Sequence, residues 1–261
     1  HGWKDNSEDI WVAAGTADKL YVYTSGAIQN DITPVGLTAG IVDGSLNTAF
    51  GGSFYGTSYY GVERPNIAVP DPATSWALDN WGEYLIACSD ADGKIYEWQL
   101  NTSTPAAVLS NAPIDNRSLV VTEERFVFAL GAGGNPRKVA WSDREDNNTW
   151  TPAATNEAGD LELQTGGSIQ CGRRVQGQTL ILTDTDAHVG TYIGPPFVYG
   201  FERVGTSCGI ASKKAITVTD AGAFWMGTKS FYRYSGGAVQ ELPSDVSDYV
   251  FSRMNNSQIS K

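Results

Sequence analysis

Few residues of this chain are of types that do chemistry. The histidines are His1 and His188, and no Ser, His and Asp arrangement can be assembled around either. His188 falls in the strand-like run His188-Val-Gly-Thr-Tyr192, where a lone histidine serves packing more often than proton transfer. Asp90-Ala-Asp-Gly93 and Asp184-Thr-Asp186 match the first positions of a calcium loop, but the later ligands and the closing Glu are missing. Asp-Gly is also a strong hairpin signal, so both are expected as turns. Asp143-Arg-Glu-Asp-Asn-Asn148 is a polar loop between Trp141 and Trp150. Acids flanked by aromatics on one rim are what a sugar site requires, so Trp141, Asp143, Glu145 and Trp150 form a candidate set. The other reading is a solvated loop tip. Gly131-Ala-Gly-Gly134 leads into Asn-Pro and a further strand, without the helix that a phosphate cradle needs. Cys88, Cys171 and Cys208 lack metal or redox spacing and read as buried thiols. These observations predict no catalytic residue, no cofactor and no metal, and a protein that is not an enzyme.

The elements that position these residues repeat. Trp81-Gly-Glu-Tyr-Leu-Ile-Ala-Cys88 turns through Asp90-Ala-Asp-Gly93 into Lys94-Ile-Tyr-Glu-Trp98. Ala223-Phe-Trp-Met-Gly227 turns through Thr228-Lys229 into Ser230-Phe-Tyr-Arg-Tyr234, and Ile10-Trp-Val-Ala-Ala-Gly15 turns into Lys19-Leu-Tyr-Val-Tyr23. Degenerate copies occur at Arg125–Leu130 and Gln178–Thr183. Short strands with turn signals, repeating every 40 to 50 residues or so, are the signature of propeller blades. Continuously apolar middle strands such as Tyr84-Leu-Ile-Ala and Leu180-Ile-Leu fit sheets covered on both faces. The predicted fold is all-β: a β-propeller of four-stranded meander blades spanning residues 1–261, with about five blades visible. The strand that should precede Ile10 is missing from this reading. With both ends looking cut, the chain is expected to be a fragment of a longer, incomplete propeller. A single helical turn is expected over Ser252–Ile259.

Residues 36–73 interrupt the rhythm. Within them Phe50-Gly-Gly-Ser-Phe-Tyr-Gly-Thr-Ser-Tyr-Tyr-Gly61 is built from Gly, Ser and aromatics. Phe54, Tyr55, Tyr59 and Tyr60 are candidate interface residues, since Tyr anchors suit contact surfaces and glycines allow close backbone approach. The competing reading folds this loop back on its own propeller.

The chain has 29 acidic and 18 basic residues and a formal charge of −11. That balance opposes any role that depends on gripping nucleic acid through phosphates. It fits solubility, or a surface past which a polyanion slides. No apolar run approaches the ~18 residues of a membrane span.

Specific residues then carry a resemblance. Ile193-Gly-Pro-Pro-Phe-Val-Tyr-Gly-Phe-Glu202, Gly205-Thr-Ser-Cys-Gly-Ile210, Ala223-Phe-Trp-Met-Gly227 and Asp248-Tyr-Val-Phe251 look like tail proteins of short-tailed bacteriophages. These are the β-propeller hub or nozzle proteins, a group that includes packaged-DNA stabilisation proteins. Gly15-Thr16 with Leu20-Tyr-Val-Tyr23, Asp31-Ile-Thr-Pro34 and Trp76-Ala-Leu-Asp-Asn-Trp-Gly82 are similar to that family as well. The resemblance implies a virion structural protein, assembled in the host bacterial cytoplasm as a ring, typically a hexamer, below the head-to-tail adaptor. Genomic DNA would pass through that ring without specific binding, first retained and then conducted into the host. It also implies further blades beyond Lys261. The alternatives are a propeller carbohydrate-binding adhesin or glycosidase and, less well matched, a cellular scaffold propeller of the WD-repeat or kelch kind.

Overall fold

The computed structural model describes residues 1–26, 28–44, 72–255 and 258–260. Phe54, Tyr55, Tyr59 and Tyr60 lie outside the described residues. The described chain forms five four-stranded antiparallel sheets, each a meander in sequence order. Blade 1 comprises β1 (Gly2–Lys4), β2 (Ile10–Gly15), β3 (Leu20–Tyr23) and β4 (Gln29–Asp31). Blade 2 comprises β5 (Trp76–Trp81), β6 (Tyr84–Ser89), β7 (Ile95–Trp98) and β8 (Ala107–Val108). Blade 3 comprises β9 (Ser118–Val121), β10 (Val127–Leu130), β11 (Lys138–Trp141) and β12 (Gly159–Glu162). Blade 4 comprises β13 (Ile169–Val175), β14 (Gln178–Thr183), β15 (Asp186–Gly194) and β16 (Val198–Thr206). Blade 5 comprises β17 (Ile216–Thr219), β18 (Gly222–Met226), β19 (Phe231–Ser235) and β20 (Ala238–Leu242), followed by one helix, α1 (Ser247–Arg253).

Two expectations need correcting. The first strand of blade 1 is present: Gly2 pairs with Val12 and Trp3 with Trp11. Three residues with a single apolar member give no readable alternation, yet Trp3 is buried and stacks on Trp11. The helix begins earlier than expected, at Ser247, and its Phe251 ring lies 5.3 Å from Phe231 of β19.

The core consists of four apolar layers, one between each consecutive pair of blades. Leu20, Val22, Trp76 and Leu85 join blades 1 and 2. Ile86, Leu119, Val121 and Val127 join blades 2 and 3. Phe128, Trp141, Ile181 and Tyr199 join blades 3 and 4, and Leu180, Leu182, Trp225 and Tyr234 join blades 4 and 5. Sheets buried on both faces lose the polar alternation, as in β6 and β10. Five blades thus have four apolar layers among the described residues, and the outward faces of blades 1 and 5 carry none. On blade 1 that face exposes Ile10 and Val12. On blade 5, Phe224, Met226, Phe231 and Leu242 line an open recess.

Tryptophan N–H groups tie neighbouring blades together. Trp3 Nε1 donates to Glu83 O at 2.8 Å, Trp76 Nε1 to Thr16 O at 2.7 Å, and Trp81 Nε1 to Arg125 O at 3.0 Å. Each indole buries a large apolar body while satisfying its one donor. The Trp76 contact sets the residue beneath it: a Cβ on Gly15 would stand 2.2 Å from Trp76 Cδ1.

Candidate functional site

The first strands of blades 2 to 5 lie side by side around one axis, a consequence of every blade starting with its innermost strand. Residues of these inner strands, Ala77, Leu119, Cys171 and Gly172 among them, face the axis together with the adjoining loops. They enclose a cavity of about 540 Å3 lined by Asp79 of β5, Arg173 and Arg174 of β13, and Lys213 and Lys214 between blades 4 and 5. Four cationic side chains surround a single carboxylate there, in a chain whose formal charge is −11. Arg174 and Lys213 have acidic partners. Arg174 Nη2 lies 2.8 Å from Asp79 Oδ1 and links blade 4 to blade 2. Asp79 also accepts from Val121 N at 2.8 Å and from Asn80 N at 2.9 Å. Burial pushes the Asp79 carboxyl above its ordinary value, against the opposing pull of Arg174 and these N–H groups. Lys213 pairs with Asp90 and donates to Arg117 O at 3.0 Å.

Arg173 and Lys214 have no acidic partner among the described residues. Arg173 Nη1 donates to Gly172 O at 2.8 Å, and its Nη2 lies 3.5 Å from Lys213 O, which sets the guanidinium beside the Lys213–Lys214 peptide. Lys214 is exposed. A recess with unneutralised cations focuses potential and gathers anions.

Of the residues weighed for chemistry in the sequence, His1 and Cys171 lie on the wall of this cavity, and so does Asp79 from the run Trp76–Gly82. The candidate sugar rim is dismantled. Trp141 packs in the layer between blades 3 and 4, and Trp150 in the layer between blades 2 and 3. Their indole N–H groups donate to Glu157 O and Asn147 O. Asp143 Oδ1 accepts from the main-chain N–H groups of Arg144 and Glu157, and Glu145 pairs with Arg125. The signal failed because a tryptophan beside a polar loop is as well suited to inter-blade packing as to holding a sugar ring.

His188 is buried in β15, its Nε2 3.2 Å from Asp186 Oδ1 but without the alignment of a hydrogen bond. Asp186 accepts from Thr165 Oγ1 at 2.8 Å. Burial lowers the His188 pKa, and Asp186 only partly offsets it. For Asp186 burial acts upward, yet the Thr183 and Thr165 hydroxyls and His188 hold it below its ordinary value. Asp90 and Asp92 sit in the β6–β7 turn, where Asp92 Oδ1 accepts from Lys94 N at 3.2 Å. No group of three or more His, Cys, Asp or Glu side chains could hold a metal among the described residues. The three cysteines are buried and unpaired. Burial pushes Cys88 up to about 12 and Cys171 and Cys208 up to about 11, so all three remain thiols at neutral pH.

The β15–β16 hairpin is the longest among the described residues, two nine-residue strands. Its tip leaves Ile193 56% and Phe197 74% exposed. From sequence, Gly194-Pro-Pro-Phe197 reads as a rigid turn and no more; the exposure of its flanking apolar side chains becomes visible only in the fold.

Similar architectures occur among solved structures. A streptogramin B lyase structure aligns with 94% of this chain and 68% of its own at a TM-score of 0.53 and 10% identity. The chain is a β-propeller. A virginiamycin B lyase from Staphylococcus aureus is similar to the propeller to the same degree, with TM-score 0.52, 9% identity, and 94% and 70% of the two chains covered. A putative 6-phosphogluconolactonase from Bacteroides uniformis aligns at TM-score 0.48 with 10% identity, covering 92% of this chain and 82% of its own. At identities of 9–10% the two lyase structures show the shared fold alone and leave the chemistry of the propeller open. No protein-family model matches the sequence, and no curated protein matches it. No helix among the described residues is long and apolar enough to cross a membrane.

Proposed function

We propose that this propeller is a structural component of the tail of a short-tailed phage, one subunit of the hub or nozzle ring that retains packaged DNA and conducts it during ejection. The observation that carries the proposal is the β15–β16 hairpin. Ile193 to Glu202, at the start of the segment Gly194 to Phe251 that most resembles the tail proteins, forms its tip and the first part of its second strand, with Ile193 and Phe197 exposed. Large apolar side chains exposed within one turn suit protein–protein contact. Under this reading the DNA runs through the bore between subunits. The axial cavity of a single propeller, crossed by the Arg174–Asp79 pair, is no passage for a duplex.

The alternative, a sugar-binding or sugar-cleaving propeller, loses its candidate set, since Trp141 and Trp150 are buried. The names of the two lyase neighbours keep an enzymatic reading in view, with the axial cavity as its natural location.

Light scattering and negative-stain imaging of the protein test the proposal. The expected result is a closed ring, typically of six copies, that Ile193→Ser with Phe197→Ser converts to monomers of unchanged melting temperature, because exposed substitutions cost little stability. A wild-type protein that stays monomeric at every concentration, or rings unaffected by the double substitution, overturns it.

A further inference from the structure

We infer that the axial cavity is a binding site for a compact oxyanion carrying two or more negative charges, held between Arg173 and Lys214. The cavity of about 540 Å3 falls in the range of small-molecule sites. Its lining concentrates Arg173, Arg174, Lys213 and Lys214 in a protein with 29 acidic and 18 basic residues, so the positive potential is local and opposed to the overall charge.

The acidic partners sort these cations into two kinds. Arg174 is held by Asp79 and Lys213 by Asp90, and both pairs serve as cross-links between segments of different blades. Arg173 and Lys214 are left over. Two main-chain carbonyls, Gly172 O and Lys213 O, steer the Arg173 guanidinium, which fixes the fork while leaving its Nε–H uncommitted. A fork fixed in this way matches the planar, two-oxygen face of a carboxylate or phosphate. Lys214 supplies a mobile point charge next along the chain from the carbonyl that Arg173 reaches. Without an anion, the charges of Arg173 and Lys214 share one recess with no carboxylate partner among the described residues; an anion of charge two or more balances both. Phosphates and small polycarboxylates share this chemistry.

Calorimetric titration with inorganic pyrophosphate and, separately, citrate, at an ionic strength fixed with sodium chloride, tests the inference. One-to-one binding is expected for at least one probe, weakened about tenfold or more by Lys214→Gln, the scale set by losing one charge-assisted contact. Arg173→Gln with Lys214→Gln should abolish it. Lys214 is exposed and makes no ion pair among the described residues, so the single variant folds whatever becomes of the double one. Lys229→Gln, on the β18–β19 turn, should bind as wild type. Binding of pyrophosphate alone identifies a phosphate site, and binding of both probes a general oxyanion site. Absence of binding by both probes, or equal binding by wild type and Lys214→Gln, overturns the inference.

Discussion

Arg174 and Asp79, 95 residues apart in sequence, meet at 2.8 Å and join the inner strand of blade 4 to that of blade 2. The contact bypasses blade 3, which lies between them in the chain. The apolar layers lie strictly between neighbouring blades, so this pair, like Lys213 with Asp90, is a polar tie that reaches past a neighbour.

Substituting Arg174 by Gln should therefore destabilise the protein by roughly 1–3 kcal/mol at neutral pH. The range lies below that of a fully buried pair because Arg174 is partly exposed. The sign of the pH effect follows from Asp79, whose raised pKa means the fold favours its protonated form. Stability from that group is present at low pH and declines as pH rises through the raised value. Removing the guanidinium steepens the decline. The difference between wild type and variant, measured by urea denaturation, should be smaller near pH 5 than near pH 8. Equal differences at both pH values would show that protonation of Asp79 does not govern the pair.

His188 and Asp186 set the response to acid. The folded-state pKa of His188 is lowered, so the unfolded chain takes up its proton first; stability is complete above about 6.5 and falls as pH drops below that value. Asp186, also lowered, acts in the same direction further down, below about 3.9. A melting temperature that begins to fall just below pH 6.5 is expected, with a shallower fall between pH 6.5 and 5 in His188→Gln. Identical profiles for the two proteins would refute the assignment.

Gly15→Ala should cost about 1–3 kcal/mol, the usual range for overpacking. The added carbon would overlap the Trp76 ring, which is already fixed by its bond to Thr16 O. Pairing it with Trp76→Phe should recover part of the loss, since the smaller ring vacates space. Thermal melts of the three variants check this, and a fully additive double variant would contradict it.

How far the sequence foretold the fold depends on the scale of the signal. Turn residues such as Asp92-Gly93 and the apolar runs of β6 and β14 are local, and they marked the five meanders. β1 escaped because Gly2-Trp3-Lys4 is too short to show alternation, and its burial is conferred by a pairing with Trp11. The axial cations escaped for a different reason. Arg173 and Lys214 are 41 residues apart, and only closure of the meanders around one axis brings them onto one wall. The sugar rim misled because side-chain type does not reveal which side of a blade a tryptophan occupies.

The Trp3, Trp76 and Trp81 indoles all donate to main-chain oxygens of a neighbouring blade. A carbonyl oxygen is supplied by every amino acid alike. The accepting oxygens at Glu83, Thr16 and Arg125 therefore belong to the backbone and not to a side chain, and they fasten the blades as long as the backbone there keeps its course. Half of each fastening is written in the genetic text and half in the geometry of the chain. Propellers held in this way can drift to sequences with little in common while their blades still lock at the same places.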